Sequence, residues 1–90
     1  MAVEVLNYVV YDDGSEGYRD KNHDRHRPNN KPAYIGYDGY TEYFVHSKLH
    51  RTDGPSIIMT DGRKHFYLDG LGYTKEEYWK EIERINNPVT

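Results

Sequence analysis

The sequence predicts an α+β fold: an antiparallel β-sheet of repeated hairpins with one C-terminal amphipathic helix. Short runs of β-branched and aromatic residues end at Asp-Gly pairs, which favour tight hairpin turns. The pattern of residues 32–50 recurs in residues 55–73, an offset of 23 residues. A helical pattern with its own start signal then begins at Thr74.

Bulk composition limits the possible functions. The chain has 90 residues, no cysteine and a net charge of −3, so we predict one small domain without disulfides, thiolate metal sites or a cysteine nucleophile. The longest apolar run, residues 3–11, is too short to cross a bilayer. We therefore expect a cytoplasmic protein with neither a membrane nor a nucleic-acid partner.

Four segments follow one another along the chain. Residues 2–11 contain neither glycine nor proline and predict the most buried strand. Residues 15–32 predict a polar, basic loop, because residues 19–31 carry a local charge of +3; the loop is either simply solvated or a phosphate-binding segment. Residues 33–73 predict the hairpin repeats, and residues 74–86 predict the helix.

The helix has a capping box and an apolar stripe. Thr74 is followed three residues later by Glu77. Tyr78, Ile82 and Ile85 then fall on one helical face. We expect Trp79, which flanks this stripe, to be largely buried between the helix and the sheet.

The repeat aligns residue by residue. Pro32 aligns with Pro55, Asp38-Gly39 with Asp61-Gly62, and residues 43–45 with residues 66–68. The dipeptide His26-Arg27 recurs as His50-Arg51, and Asp13-Gly14 could begin an earlier copy. Because a single hairpin is marginally stable in water, the copies must pair or stack.

These motifs, together with the Lys-Leu-His-Arg-Thr-Asp-Gly-Pro segment at residues 48–55, resemble the MORN-variant repeats of small bacterial and bacteriophage proteins. The resemblance covers roughly residues 26–80. It implies a sheet of hairpins that acts as a scaffold or as a binding surface for a partner, and in some members as a lipid-contacting surface. It implies no catalytic residues.

Aromatic and basic residues give a candidate binding surface. Four tyrosines recur every third residue, and tyrosine rings are common both at protein interfaces and as stacking platforms for bases. We expect about half of them to form the core instead. The candidate binding residues are Tyr34, Tyr37, Tyr40, Tyr43, Arg25, His26, Arg27 and Arg51.

Two constellations could suggest chemistry. His23, Asp24 and His26 place two imidazoles and a carboxylate within four residues, but a polar loop explains them more simply than a metal site does. His50 with Asp53 could be a base and its orienting carboxylate, but a structural turn is more economical because His-Arg recurs. Since glycine-rich phosphate loops and nucleophile motifs are missing, we predict no enzyme, no cofactor and no bound metal.

We predict a non-catalytic binding protein, encoded by a phage, that binds and inhibits or modulates a host protein such as a defence component. The inhibitory step follows only by analogy with the resemblance. Two alternatives stay open. One is an oligomeric sponge that sequesters a nucleotide-like signalling molecule between tyrosine rings and arginines. The other is a structural, virion-associated scaffold whose hairpin edges pair between copies, giving a homo-oligomer.

Overall fold

The computed structural model describes residues 4–87 and confirms the α+β class. In chain order its elements are β1 Asn7–Val10, β2 Glu16–Arg19, β3 Tyr34–Ile35, β4 Thr41–Glu42, β5 Phe44–Val45, β6 Lys48–Leu49, β7 Ile57–Ile58, β8 Lys64–Leu68, β9 Leu71–Tyr73 and α1 Lys75–Asn86. Residues 2 and 3 of the predicted first strand lie outside the described residues. So does Pro88, which after Asn86-Asn87 is the residue expected from the sequence to stop the helix.

Seven of these strands form one antiparallel sheet in the order β1-β2-β3-β4-β7-β8-β9, and β5 and β6 pair with each other separately. The molecule measures 47 × 40 × 16 Å. Its short dimension leaves little room for a second layer, since packed sheets alone lie about 10 Å apart. Most of the sheet is therefore a single layer, and α1 packs mainly against β8 and β9.

Three hairpins share one turn geometry. Hairpin 1 joins β1 to β2, hairpin 2 joins β3 to β4, and hairpin 3 joins β7 to β8. Their turn glycines, Gly14, Gly39 and Gly62, have φ of 90°, 94° and 92°, which side-chain-bearing residues rarely adopt. In each turn the carboxylate of the aspartate before the glycine accepts a hydrogen bond from the backbone N–H of the residue that follows the glycine. Hairpin 1 is therefore a hairpin of the same kind as the two aligned copies.

The hydrophobic core lies where α1 meets the sheet. It contains Phe66, Leu68, Tyr78 and Ile82. The predicted capping box is present, because the Thr74 hydroxyl accepts the Glu77 N–H at 3.1 Å and the Glu77 carboxylate accepts the Thr74 N–H at 3.0 Å. This box fixes where the helix starts and hence which of its faces meets the sheet.

Two expectations about the helix were wrong. Trp79 is 41% exposed, whereas its neighbour Tyr78 is fully buried. Ile85, expected on the apolar stripe, is 50% exposed, although Ile82 is buried. Successive helical residues point about 100° apart, so Trp79 falls beside the contact with β8 and β9 that buries Tyr78. Ile85 shares the face of Tyr78, and its exposure shows that this contact does not extend to the last turn of α1.

The expectations for the first two segments were also wrong. All four residues of β1 are exposed, because β1 is an edge strand of a single-layer sheet. The segment expected to be a solvated loop contains β2, and its Ser15, Asp20 and His26 are buried. Those side chains are buried because they satisfy backbone groups through hydrogen bonds, a role that apolar periodicity does not reveal.

Candidate functional site

The predicted arginines Arg27 and Arg51 occupy equivalent positions at the junctions between hairpins. The Arg27 guanidinium lies 3.9 Å from the Tyr18 ring centroid, and that of Arg51 lies 4.1 Å from the Tyr43 centroid. Each also donates to a proline carbonyl oxygen, Pro32 at 3.2 Å and Pro55 at 3.1 Å. Both cations are thus held by contacts that stabilise the repeat itself.

The histidines before these arginines cap turns. His26 Nδ1 accepts the backbone N–H of His46 at 3.0 Å, and His50 Nδ1 accepts that of Asp69 at 3.0 Å. His46 and Asp69 both have positive φ and lie in the turns that follow β5 and β8. The His-Arg dipeptide therefore joins one hairpin to the next: its histidine caps a turn and its arginine stacks on a tyrosine.

The four predicted tyrosines occupy different environments. Tyr43 is buried, Tyr34 and Tyr40 are half-buried, and Tyr37 is 72% exposed at a turn. The Tyr34 and Tyr40 rings pack edge to face, 6.2 Å between centroids. The structure therefore does not bring these rings together as one exposed platform.

Arg25 lies beside this pair and is already neutralised. Its guanidinium is 5.5 Å from the Tyr34 ring and 3.0 Å from a Glu42 carboxylate oxygen. Glu42 also accepts the Tyr40 hydroxyl at 2.9 Å. Burial, with this hydrogen bond, raises the pKa of Tyr40 to about 12, so the phenol remains a donor to Glu42 even above the ordinary tyrosine pKa of about 10.

A second group, here called the histidine cluster, was not predicted as a unit and consists of Glu4, Asp20, His26 and His46. The His26 and His46 rings stack with centroids 3.9 Å apart. His26 Nε2 is 2.9 Å from Glu4, and His46 Nδ1 is 2.9 Å from Asp20. The hydrogen bond from His46, with those from the backbone of Asp24 and Asn22, holds the pKa of the Asp20 carboxyl below its usual range.

The histidine cluster has the composition of a metal site but not its chemistry. Ligand atoms of Glu4, His26 and His46 lie within 4.8 Å of one another. His26 Nδ1, however, accepts a backbone N–H, so a neutral ring carries its proton on Nε2. That nitrogen donates to Glu4 and has no lone pair for a metal, whereas metal-bound histidines donate through their second nitrogen. His23, which the sequence places near His26 but which was not predicted to bind metal, is not part of this group among residues 4–87.

A run of exposed apolar residues forms the β1 edge. Tyr8 and Val10 are 51% and 59% exposed, and Val9 is exposed on the opposite face. Tyr11 N–H donates to Ser15 O at 2.8 Å. Because every second residue of an antiparallel strand bonds to the same neighbour, the backbone groups of Val9 also bond to β2. The backbone N–H and C=O groups of Tyr8 and Val10 therefore point toward the open edge. Edge position was not predicted, and the sequence signal for it, an apolar strand at the start of the array, was interpreted as a core strand.

Comparison with protein-family models, with curated protein sequences and with solved structures found no match. The resemblance to MORN-variant repeats therefore stays a prediction. Among the residues that the structure describes, no helix is both long and apolar enough to cross a membrane.

Proposed function

We propose that the chain is a non-catalytic protein-binding module that accepts an extended strand of a partner protein along the β1 edge. The observation that carries this proposal is the exposure of all four β1 residues at the end of a single-layer sheet. Natural proteins usually shield such an edge with charges, proline or a covering element. Here the exposed strand is Asn-Tyr-Val-Val, which carries none of the protecting residues.

The edge offers the two ingredients of strand addition. The backbone groups of Tyr8 and Val10 provide main-chain hydrogen bonds, and the apolar side chains of β1 provide contacts on both faces. Residues 4–19 carry a net charge of −3, from four carboxylates and one arginine. The partner segment is therefore one that is extended, apolar at alternate positions and flanked by basic side chains.

The resemblance to small phage proteins supports a bacterial host protein as the partner, and a defence component in particular. Occupying a strand edge or a binding segment of such a protein would inhibit it without any catalysis. This proposal needs no cofactor and places the encounter in the host cytoplasm.

A nucleotide sponge receives less support from the geometry. Its phosphate ligands would be Arg25, Arg27 and Arg51. Arg25 is paired with Glu42, and the other two stack on tyrosines and donate to carbonyl oxygens. A phosphate would have to displace contacts that hold adjacent hairpins together, which would cost stability.

The test is capture of a partner by tagged protein from bacterial lysate, repeated with edge variants. Val10→Pro removes an N–H that faces the open edge and leaves the β1–β2 hydrogen bonds in place. We expect one protein in stoichiometric amount with the native chain and its loss with Val10→Pro. Ile85→Ser, at an apolar side chain of α1 that is exposed to a similar degree, 50% against 59% for Val10, is the control and should retain the partner.

Circular dichroism of each variant establishes that the fold is intact. Capture that survives Val10→Pro, or recovery of the bare chain, would contradict binding at the edge. An ultraviolet-absorbing small molecule that copurifies with the chain would instead favour the nucleotide alternative.

A further inference from the structure

We propose that copies of this chain associate head to tail, with β1 of one copy pairing with the first half of β8 of the next. This inference rests on the β1 edge accepting a strand, as in the proposed function. It adds a second surface, at the other end of the repeat array, and names a second copy of the chain as an occupant of the edge.

At the last hairpin, two residues of β8 have no strand paired with them on their outer side within residues 4–87. The second strand of hairpin 1 pairs with the first strand of hairpin 2, through Glu16–Ile35 and Gly17–Tyr34. The second strand of hairpin 2 pairs in the same way with the first strand of hairpin 3.

In hairpin 3 the equivalent positions are Lys64 and His65, 23 residues after Thr41 and Glu42. β7 pairs with them on one side, and β9 pairs only with Phe66–Leu68 further along β8. On the other side, where another hairpin would follow, the chain has become α1. Within residues 4–87 no strand pairs with Lys64 and His65 on that side.

The helix leaves this position open as a groove of about 580 Å³. Pro55, Phe66, Tyr73 and Trp79 provide its apolar lining, and Lys64 and Lys75 lie at its margin. The part of Trp79 that the packing of α1 leaves exposed lines this groove. An aromatic wall beside an open strand edge is suited to an extended apolar segment.

The backbone groups of the two ends match. Tyr43 N–H donates to Ser56 O at 2.8 Å across the junction between hairpins 2 and 3, so Thr41, two residues earlier, also bonds across that junction. Lys64 corresponds to Thr41 and therefore directs its N–H and C=O into the groove. On β1 the open groups that can meet Lys64 belong to Val10, because β9 already pairs with Phe66, the next position along β8 that directs its groups outward.

The register of the junctions between hairpins then predicts which residues of the two copies face each other. Ile58 lies opposite Thr41 and Ile57 opposite Glu42. The turn glycines show that Val10 and Val9 correspond to Ile58 and Ile57. Val10 of one copy is therefore expected opposite Lys64 of the next, and Val9 opposite His65.

The charges of the two ends are also complementary. The β1 end has a net charge of −3 over residues 4–19. At the groove, Lys64 and Lys75 are cationic, while the nearby Asp53 carboxylate is 2.6 Å from the Arg51 guanidinium and thereby neutralised. The acidic β1 end would meet Lys64 and Lys75 at the groove, whereas the pairing of two β1 edges would bring like charges together.

The contact is short, so we expect weak association that depends on protein concentration and salt. Each internal junction has only two paired residues on each strand. A contact between unlike ends that does not close on itself builds an open chain of copies. The copy at one end keeps its β1 edge free for another partner.

Cross-linking tests the register directly, since the chain has no cysteine of its own. Val9→Cys protein is mixed with His65→Cys protein carrying a tag of different mass, and the mixture is oxidised. In the proposed register these residues form a non-hydrogen-bonded pair, whose side chains are close enough for a disulfide. We expect the mixed dimer to predominate. Tyr37→Cys replaces Val9→Cys in the control and should give little mixed dimer.

Three outcomes would overturn the inference. A predominance of Val9→Cys homodimers would mean that two β1 edges pair with each other. Mixed dimer no more abundant than in the Tyr37→Cys control would mean that the two ends do not meet. Sedimentation of native and Lys64→Glu proteins that shows the same concentration dependence would mean that the groove plays no part.

The same variants separate this inference from the proposed function. Lys64→Glu should abolish self-association and leave partner capture intact. If cross-linking fails while Val10→Pro still abolishes partner capture, the head-to-tail contact is refuted and the proposed function stands. If the mixed disulfide forms while partner capture is indifferent to Val10→Pro, the proposed function fails and the contact stands.

Discussion

Tyr78 is the residue whose loss should destabilise this protein most. It is fully buried, packs 4.9 Å from Phe66 between ring centroids, and is a member of the small core cluster. Its hydroxyl donates to Arg51 O and accepts Gly54 N–H at 3.3 Å. One side chain thus joins α1 to the sheet and to the loop that precedes β7.

The size of the effect follows from these contacts. Removing a buried aromatic ring costs about 3–5 kcal/mol. Tyr78→Ala also leaves the Arg51 carbonyl and the Gly54 N–H without their hydrogen-bond partner. A domain of this length unfolds with roughly 5–13 kcal/mol, so Tyr78→Ala should be largely or wholly unfolded. Tyr78→Phe keeps the ring and should lose about 1–3 kcal/mol, the cost of leaving the Arg51 carbonyl unpaired. Trp79→Ala, at a partly exposed ring, should lose only about 1–2 kcal/mol.

Urea unfolding followed by circular dichroism measures all three variants. Tryptophan fluorescence is unsuitable because Trp79 is the chain's single tryptophan. The test is the order in which the three variants lose free energy of unfolding. If Trp79→Ala proved as destabilising as Tyr78→Ala, the helix would be rotated relative to the packing described above, and the assignment of Tyr78 as the anchor would be refuted.

Three further outcomes are expected. Arg51→Lys keeps the charge but loses the planar stacking on Tyr43, so it should lower the free energy of unfolding by about 1 kcal/mol, whereas the same change at the exposed Arg63 should not; equal effects would argue against the stacking role. The lowered pKa of Asp20 stabilises the fold above the ordinary aspartate pKa of about 4, and that stabilisation is lost as pH falls through the lower folded-state pKa. Asp20→Asn should therefore flatten the acid limb of a stability–pH curve, and an unchanged limb would contradict the role of this carboxylate. Zinc should leave the thermal midpoint unchanged, because His26 has no free nitrogen for it; a rise that depends on zinc concentration would show that the cluster binds metal after all.

Local signals predicted the hairpins and the helix start. Asp-Gly turns and the Thr74–Glu77 box act over three or four residues, so they can be recognised without knowing the fold. Burial could not be predicted in the same way. Whether β1 is buried depends on its place in the strand order and on whether a second layer covers its faces, and the local sequence specifies neither. Whether Tyr78 or Trp79 is buried depends on the orientation of the helix about its axis, and the two alternatives differ by only about 100°.

The candidate site was predicted by residue type but not by role. The equal placement of Arg27 and Arg51 after their histidines marked them as parts of the repeat, yet arginine and tyrosine together also suggest a ligand site. Their partners, Tyr18 and Tyr43, lie nine and eight residues earlier in sequence and meet them only after the chain folds back. Contacts over longer separations, such as Glu4 with His26, have no local signal.

Self-association and partner binding should compete, because both proposals use the β1 edge. At high protein concentration most copies would have their β1 strand in the groove of a neighbour, and the apparent partner affinity would fall by the fraction of edges still free. Lys64→Glu weakens the binding of a neighbour's β1 in the groove and leaves the sequence of β1 unchanged. At high protein concentration this variant should therefore bind the partner with a higher apparent affinity than the native chain. At low concentration the two should bind equally well. Titrating the captured partner at both concentrations measures this difference. An effect of Lys64→Glu that is the same at both concentrations would mean that the variant acts on the partner directly and that the two equilibria are not linked.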